Sequence, residues 1–302
     1  MAKMADIWNA DGSTRVDRRS GIRERVAFVP RNAGRDQLFI VVHEPPADPV
    51  GGVLVCSSIL ADQLANYQRE VHLARHLAAA GFVTVRFHYS GTGNSDGDPA
   101  ALTLDVLRDD ARWVGEAMRD HLGAAALGLI GTRWGAVAAA AVARDAEAGP
   151  LVLCEPIVDG RRYFREAMRS RAMSAIATRS GKPGPGLRLA DLLDANGCAD
   201  ILGNVIHRPL YDSADGHDLL FDLTRAARPT LLVQFGGTGL RADLLAFEQR
   251  LAATGWSIDT ATFDLAESWW FRSGPRITRH PDLNEVTADW LLTHLDRAPV
   301  AR

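Results

Sequence analysis

The sequence predicts an α/β fold: a mostly parallel central sheet with helices on both faces and a helical segment inserted late in the chain. Three observations predict it. Short apolar runs alternate with helical patterns through most of the 302 residues. The runs are apolar throughout, as strands covered on both faces are, rather than alternating with polar residues. The alternation lapses between residues 156 and 228, where helical patterning continues without a buried strand and is broken by Gly181-Lys182-Pro183-Gly184-Pro185-Gly186.

In order, residues 1–22 are polar and read as a loose N-terminal arm without the apolar stretch of a signal peptide. Residues 23–31 and 37–43 alternate enough to form two antiparallel strands joined by a turn at Asn32-Ala33-Gly34. GVLVC at 52–56 reads as a buried strand, followed by a helix over 66–80 that stops at Gly81. A second buried strand, 82–87, runs into a turn-rich loop from His88 to Gly97. A helix over 103–122, capped near Thr103, precedes a short strand at 127–130, an alanine-rich helix over 134–148 and a strand at 151–154. Strands at 230–235 and 257–263 flank a helix over 243–253, and a helix over 283–295 closes the fold. The expected organisation is an arm (1–22), a core (23–155 and 229–302) and a helical cap (156–228).

Composition is that of an ordinary globular protein, 47% hydrophobic and 24% charged, and a formal charge of -3 argues against nucleic-acid binding. No apolar run approaches the roughly 20 residues of a membrane span. Cys56, Cys154 and Cys198 are few and widely spaced, which fits reduced thiols and a cytoplasmic location. They offer no zinc spacing, and neither a metal nor a cofactor is expected.

The most informative segment is Gly131-Thr132-Arg133-Trp134-Gly135, between a predicted strand and a predicted helix. A Gly-x-Ser-x-Gly bend there would expose a nucleophilic serine. Here the central residue is arginine, which stays protonated and cannot attack a carbonyl. With this elbow, the loop HYSGTGNSDGD and the strand exit EPIVDG, the chain resembles the α/β-hydrolase superfamily over nearly its whole length. It looks closest to the hydrolase-like proteins encoded beside exosortase systems. The resemblance implies an α/β-hydrolase fold with a helical cap. It places Arg133 at the nucleophile, Thr238 near the acid and Ser268 at the histidine, so that a Ser-His-Asp mechanism is excluded.

Arg133 has two readings: its guanidinium forks onto a ligand's anionic group, or it pairs with a neighbour such as Glu155 and plugs a retired site. Glu155 and His88, at the carboxyl edge of the sheet where open α/β folds bind ligands, are the candidate proton carriers. Cys56 and Ser57 end the strand whose loop normally contributes to an oxyanion hole. They are candidate ligand contacts or a relocated nucleophile, with backbone-bonded, buried roles as the plainer alternative. Tyr89, Trp134, Trp269 and Trp270 are candidate pocket walls, and aromatic residues also commonly pack cores. The arginine-rich stretch 161–171 offers a basic helix face to an acidic carrier protein or CoA, or simply a solvated surface. The expected function is a divergent enzyme binding a small anionic or acyl-type organic substrate between core and cap. It would use non-covalent acid/base or electrostatic chemistry in bacterial specialised or polysaccharide-related metabolism. A non-catalytic ligand- or partner-binding protein, and a hydrolase or acyltransferase using Cys56 or Ser57, are the alternatives.

Overall fold

The computed structural model describes residues 12–31, 34–122, 127–144, 148–177, 188–223, 227–263 and 281–295. The sheet has nine strands: β1 (Gly12–Val16), β2 (Arg23–Arg31), β3 (Asp36–Glu44), β4 (Gly51–Cys56), β5 (Phe82–Phe87), β6 (Leu127–Thr132), β7 (Ala148–Cys154), β10 (Thr230–Phe235) and β11 (Ile258–Phe263). They lie in the order β1-β2-β3-β5-β4-β6-β7-β10-β11. The β1 to β3 end is antiparallel, and from β5 onward every pairing is parallel. Helices α1 (Ala61–Ala79), α2 (Leu104–Leu122), α3 (Gly135–Ala143), α8 (Ala242–Ala252) and α9 (Pro281–His294) cover it. Strand alternation sorts the core into two. Val53, Val55, Ile130, Val152, Leu231 and Val233 face one way with Leu73 and Leu77 of α1 and Leu283 and Leu291 of α9. Their neighbours Leu54, Leu129, Leu151, Leu153 and Leu232 face the other way, against α2, α3 and α8.

Between β7 and β10 lie α4 (Gly160–Ala177), α5 (Leu189–Asn196), α6 (Arg208–Asp215), α7 (Leu219–Leu223) and an antiparallel hairpin of β8 (Cys198–Ile201) and β9 (Asn204–His207). Among the described residues no helix is long and apolar enough to cross a membrane.

Four local expectations need correction. Part of the presumed loose arm, β1, is an edge strand paired along β2. The hairpin β8–β9 interrupts the segment read as purely helical, because its short strands have only one covered face and show no continuous apolar run. Helix α3 ends at Ala143, and Ala148 already belongs to β7. An unbroken alanine run carries no period to mark a terminus, and Gly149-Pro150 cannot continue a helix. Helix α1 starts five residues early because its first turns bury polar residues, Asp62, Asn66, Arg69 and Glu70, and leave Leu64 exposed. That inverts the hydrophobic pattern from which a helix is read. The cap at Thr103 is present, its Oγ1 accepting the Val106 N–H at 3.2 Å. The turn Asn32-Ala33 lies outside the described residues.

Candidate functional site

Strand β6 turns into α3 through Arg133, whose φ of 54° is left-handed. The close approach that this bend needs is met by glycine: a Cβ on Gly135 would lie 2.0 Å from the Cys56 carbonyl oxygen, and one on Gly131 2.6 Å from Ala136 Cα. One strand over, Glu155 leaves β7 with φ 47°. Left-handed non-glycine residues cost of order 1–3 kcal/mol each and cluster at functional sites. Here two of them end adjacent strands at the sheet's carboxyl edge.

The Arg133 side chain is 7% exposed and that of Asp62 is fully buried, with Nε donating to Asp62 Oδ2 at 3.0 Å. Nη1 donates to the Glu155 carbonyl at 3.3 Å, and the guanidinium lies 5.7 Å from the Tyr163 ring centre. Burial opposes the charge of Arg133, but Asp62, Tyr163 and Glu155 outweigh it and hold the group protonated. Burial likewise pushes the Asp62 carboxyl up, against the pull of Arg133 and the Tyr163 hydroxyl. Asp62 is therefore an ion-pair partner of Arg133, and the Glu155 carboxylate adds to the field that holds it charged. Glu155 is fully buried; Oε1 accepts the Phe235 N–H at 2.6 Å, and Arg241 Nη1 reaches Oε2 at 2.7 Å.

Arg133 and Glu155 line a cavity of about 370 Å³ closed by Tyr163 and Ser170 of α4 and by Arg241 and Asp243 at the start of α8. Arg162, Tyr163, Glu166, Arg169 and Ser170 of the arginine-rich stretch are among its walls, whereas His88, Cys56, Ser57, Tyr89 and Trp134 are not. His88 is turned into its own loop, Nδ1 accepting the Asn94 N–H at 2.9 Å and the ring 4.8 Å from that of Phe39. Cys56 is buried and its thiol is pushed far up by burial. The Ser57 carbonyl accepts the Tyr89 hydroxyl at 3.1 Å, and both residues are buried. Trp134 packs as core, edge-on to Tyr163 at 5.0 Å. Thr238 is exposed after β10. Ser268, Trp269 and Trp270 lie outside the described residues. Arg161 pairs with Asp215, and Arg162 with Glu166 and Asp243, so two arginines of the basic face are already engaged. Among the described residues no group of three or more His, Cys, Asp or Glu is placed to hold a metal ion.

The decisive residue missed in the sequence is Asp62, hidden because α1 was placed too late in the chain. Arg241 and Asp243 follow the Gly-rich turn after β10 and carry no motif. Tyr163, Arg162, Glu166 and Arg169 lay within the arginine-rich stretch, where only spacing relative to the core distinguishes cavity wall from solvent.

His88 yields a pH prediction. Burial, then the nearby Arg86 charge, pushes it down to about 4, and burial does the same to His217. A depressed histidine binds its proton in the unfolded chain first, so stability is present above the unfolded value of about 6.5 and is lost as pH falls toward the folded value. His88→Asn keeps an acceptor for Asn94. It should remove about 1 kcal/mol per pH unit from the acid loss between about pH 6.5 and 4, with His217 retaining its share. Urea midpoints across that range measure it.

A predominantly parallel sheet in this strand order, a glycine-flanked elbow and a cavity at its mouth define an α/β-hydrolase-fold protein. The family model of serine aminopeptidase S33 (Hydrolase_4) matches residues 52–204, half of the chain, and the chain belongs to that family. Solved structures share the fold at low identity. Est1E from Butyrivibrio proteoclasticus, bound to ferulic acid, superposes with a TM-score of 0.64 at 13% identity over 88% of this chain and 98% of its own. The proline iminopeptidase of Mycobacterium smegmatis gives 0.59 at 14% over 89% and 98%. The proline iminopeptidase-related protein TTHA1809 of Thermus thermophilus gives 0.57 at 21% over 91% and 100%. No curated protein sequence matches the chain.

Proposed function

We propose that this chain is a divergent α/β-hydrolase-fold protein that binds a small organic molecule in the cavity between the sheet edge and an α4–α7 cap, without forming an acyl-enzyme. The observation that carries this reading is the Arg133–Asp62 ion pair at the elbow. A cation fills the place of the attacking hydroxyl, and its charge is met from within the protein. Glu155 favours binding over proton transfer for the same reason, since the Phe235 N–H and Arg241 already occupy its carboxylate. A relocated nucleophile draws no support from the geometry: Cys56 and Ser57 are buried away from the cavity walls.

Purified native protein treated with fluorophosphonate and thiol-directed acyl probes should show no adduct on Ser57 or Cys56 by peptide mass spectrometry, labelling of the partly exposed Cys198 being set aside. It should also leave p-nitrophenyl esters and aminoacyl anilides uncleaved. An adduct on Ser57 or Cys56, or turnover at a serine-hydrolase rate, would overturn the proposal. Native mass spectrometry of small molecules retained in the cavity supplies the positive arm, and their loss in Arg133→Ala ties them to this site.

A further inference from the structure

Helix α4 walls the cavity with one stripe of side chains. Arg162, Glu166, Arg169 and Ser170 recur on that face at helical spacing. Toward the elbow the arginines already hold carboxylates. Arg162 donates to Glu166 at 2.8 Å and lies 3.1 Å from Asp243, and Arg241 meets Glu155 at 2.7 Å. Arg133 is paired with Asp62. A ligand's anion would compete there with an internal partner.

The other end of the stripe differs. Arg169 and Ser170 stand about 10–12 Å along the helix from Arg162. Arg169 has no ion-pair or hydrogen-bond partner among the described residues. Ser170 is 6% exposed, and its hydroxyl is also without a hydrogen bond there. Other helical hydroxyls of this chain bond back to the preceding turn: Ser213 to the Leu210 carbonyl at 2.9 Å, Thr287 to the Leu283 carbonyl at 2.7 Å and Thr293 to the Asp289 carbonyl at 2.9 Å. A buried hydroxyl that forgoes this bond at a cavity wall calls for a partner from the cavity. Beside it, a guanidinium presents a fork of N–H donors that matches carboxylate and phosphate oxygens. Glu166, one turn away, is turned back to Arg162, and Asp159 lies about 15 Å down the helix from Arg169.

We infer that the ligand carries a terminal carboxylate or phosphate, held by Arg169 and Ser170, while its remainder runs along α4 toward Glu155. The inference rests on reading the cavity as a binding site. The test uses the full chain and two pairs of compounds that differ in the anionic group: benzoate with benzamide, and phenyl phosphate with phenol. Ligand-observed NMR titration gives each affinity. The anionic member of each pair should bind about tenfold tighter at low salt, and raising salt should shrink the advantage because Arg169 is exposed. Arg169→Gln should erase the preference and Ser170→Ala should reduce it about threefold, with the neutral compounds unaffected. Arg165→Gln removes the same charge from an exposed position of α4 outside the cavity walls and should change nothing. Equal binding of anionic and neutral members, or equal effects of Arg165→Gln and Arg169→Gln, would overturn this inference and leave the cavity reading standing. No binding by any of the four compounds would remove both.

Discussion

Asp62→Ala should destabilise the fold by about 3–5 kcal/mol, because it strands the buried Arg133 guanidinium. Asp62 is fully buried and the Arg133 side chain is 7% exposed at the cavity wall, which leaves Asp62 no water and Arg133 little to fall back on. The double replacement Asp62→Leu/Arg133→Met should recover much of that loss, since a matched apolar pair leaves no uncompensated charge. The two single changes should differ in pH behaviour. In Arg133→Met, Asp62 loses the partner that offsets the upward push of burial. A carboxyl whose folded value is raised holds its proton in the native state first, so its contribution is greatest at low pH and falls as pH rises through the folded value. The Arg133→Met deficit should therefore shrink on acidification toward about pH 4. The Asp62→Ala deficit should not, because guanidinium cannot shed its charge. Denaturant midpoints of the three variants at two pH values measure this. Strictly additive single effects, or identical pH profiles, would show that the pair does not act as a unit.

The fold was legible because its signals are redundant. β5 and β10 lie where continuous apolar runs placed them, and the elbow was fixed by a glycine at each end of a strand-to-helix junction. The candidate site was legible only as far as residues carried along by those elements: Arg133 and Glu155 close adjacent strands, so topology alone brings them together. Asp62 is 71 positions from Arg133. Its role follows from which face of α1 turns inward, and that face is polar. Hydrophobic periodicity cannot find a helix face that is buried because its charges are paired. His88, Tyr89, Cys56 and Ser57 were correctly placed near strand ends, but strand-end position does not determine whether a side chain turns toward a cavity or into its own loop. Their hydrogen bonds and packing decide that, and these depend on loop geometry that sequence spacing does not encode.

Glu155→Ala is expected to cost about 3 kcal/mol, the sum of a lost charge-assisted bond and an orphaned buried N–H at Phe235. Glu155 fastens the exit of β7 to the end of β10: its own N–H donates to the Val233 carbonyl at 2.8 Å while its carboxylate takes the Phe235 N–H. Arg241, 38% exposed, can turn to solvent when the carboxylate is removed, so its loss adds little. The backbone supplies an internal control. At φ 47° alanine keeps the strain that glutamate bears, whereas glycine relieves it. Glu155→Gly should therefore be more stable than Glu155→Ala by about 1 kcal/mol, even though it removes the same side-chain bonds. Glu155→Gln, which retains an acceptor for Phe235, should fall closest to the native protein. Thermal and urea unfolding of the three variants gives the order. Alanine matching or exceeding glycine would mean that the bend relaxes once the carboxylate is gone, and that Glu155 imposes the left-handed turn rather than tolerating it. The geometry argues the other way. Arg133 donates its own N–H to the Cys154 carbonyl and its side chain to the Glu155 carbonyl, so the bend is held from the elbow as well as from β10.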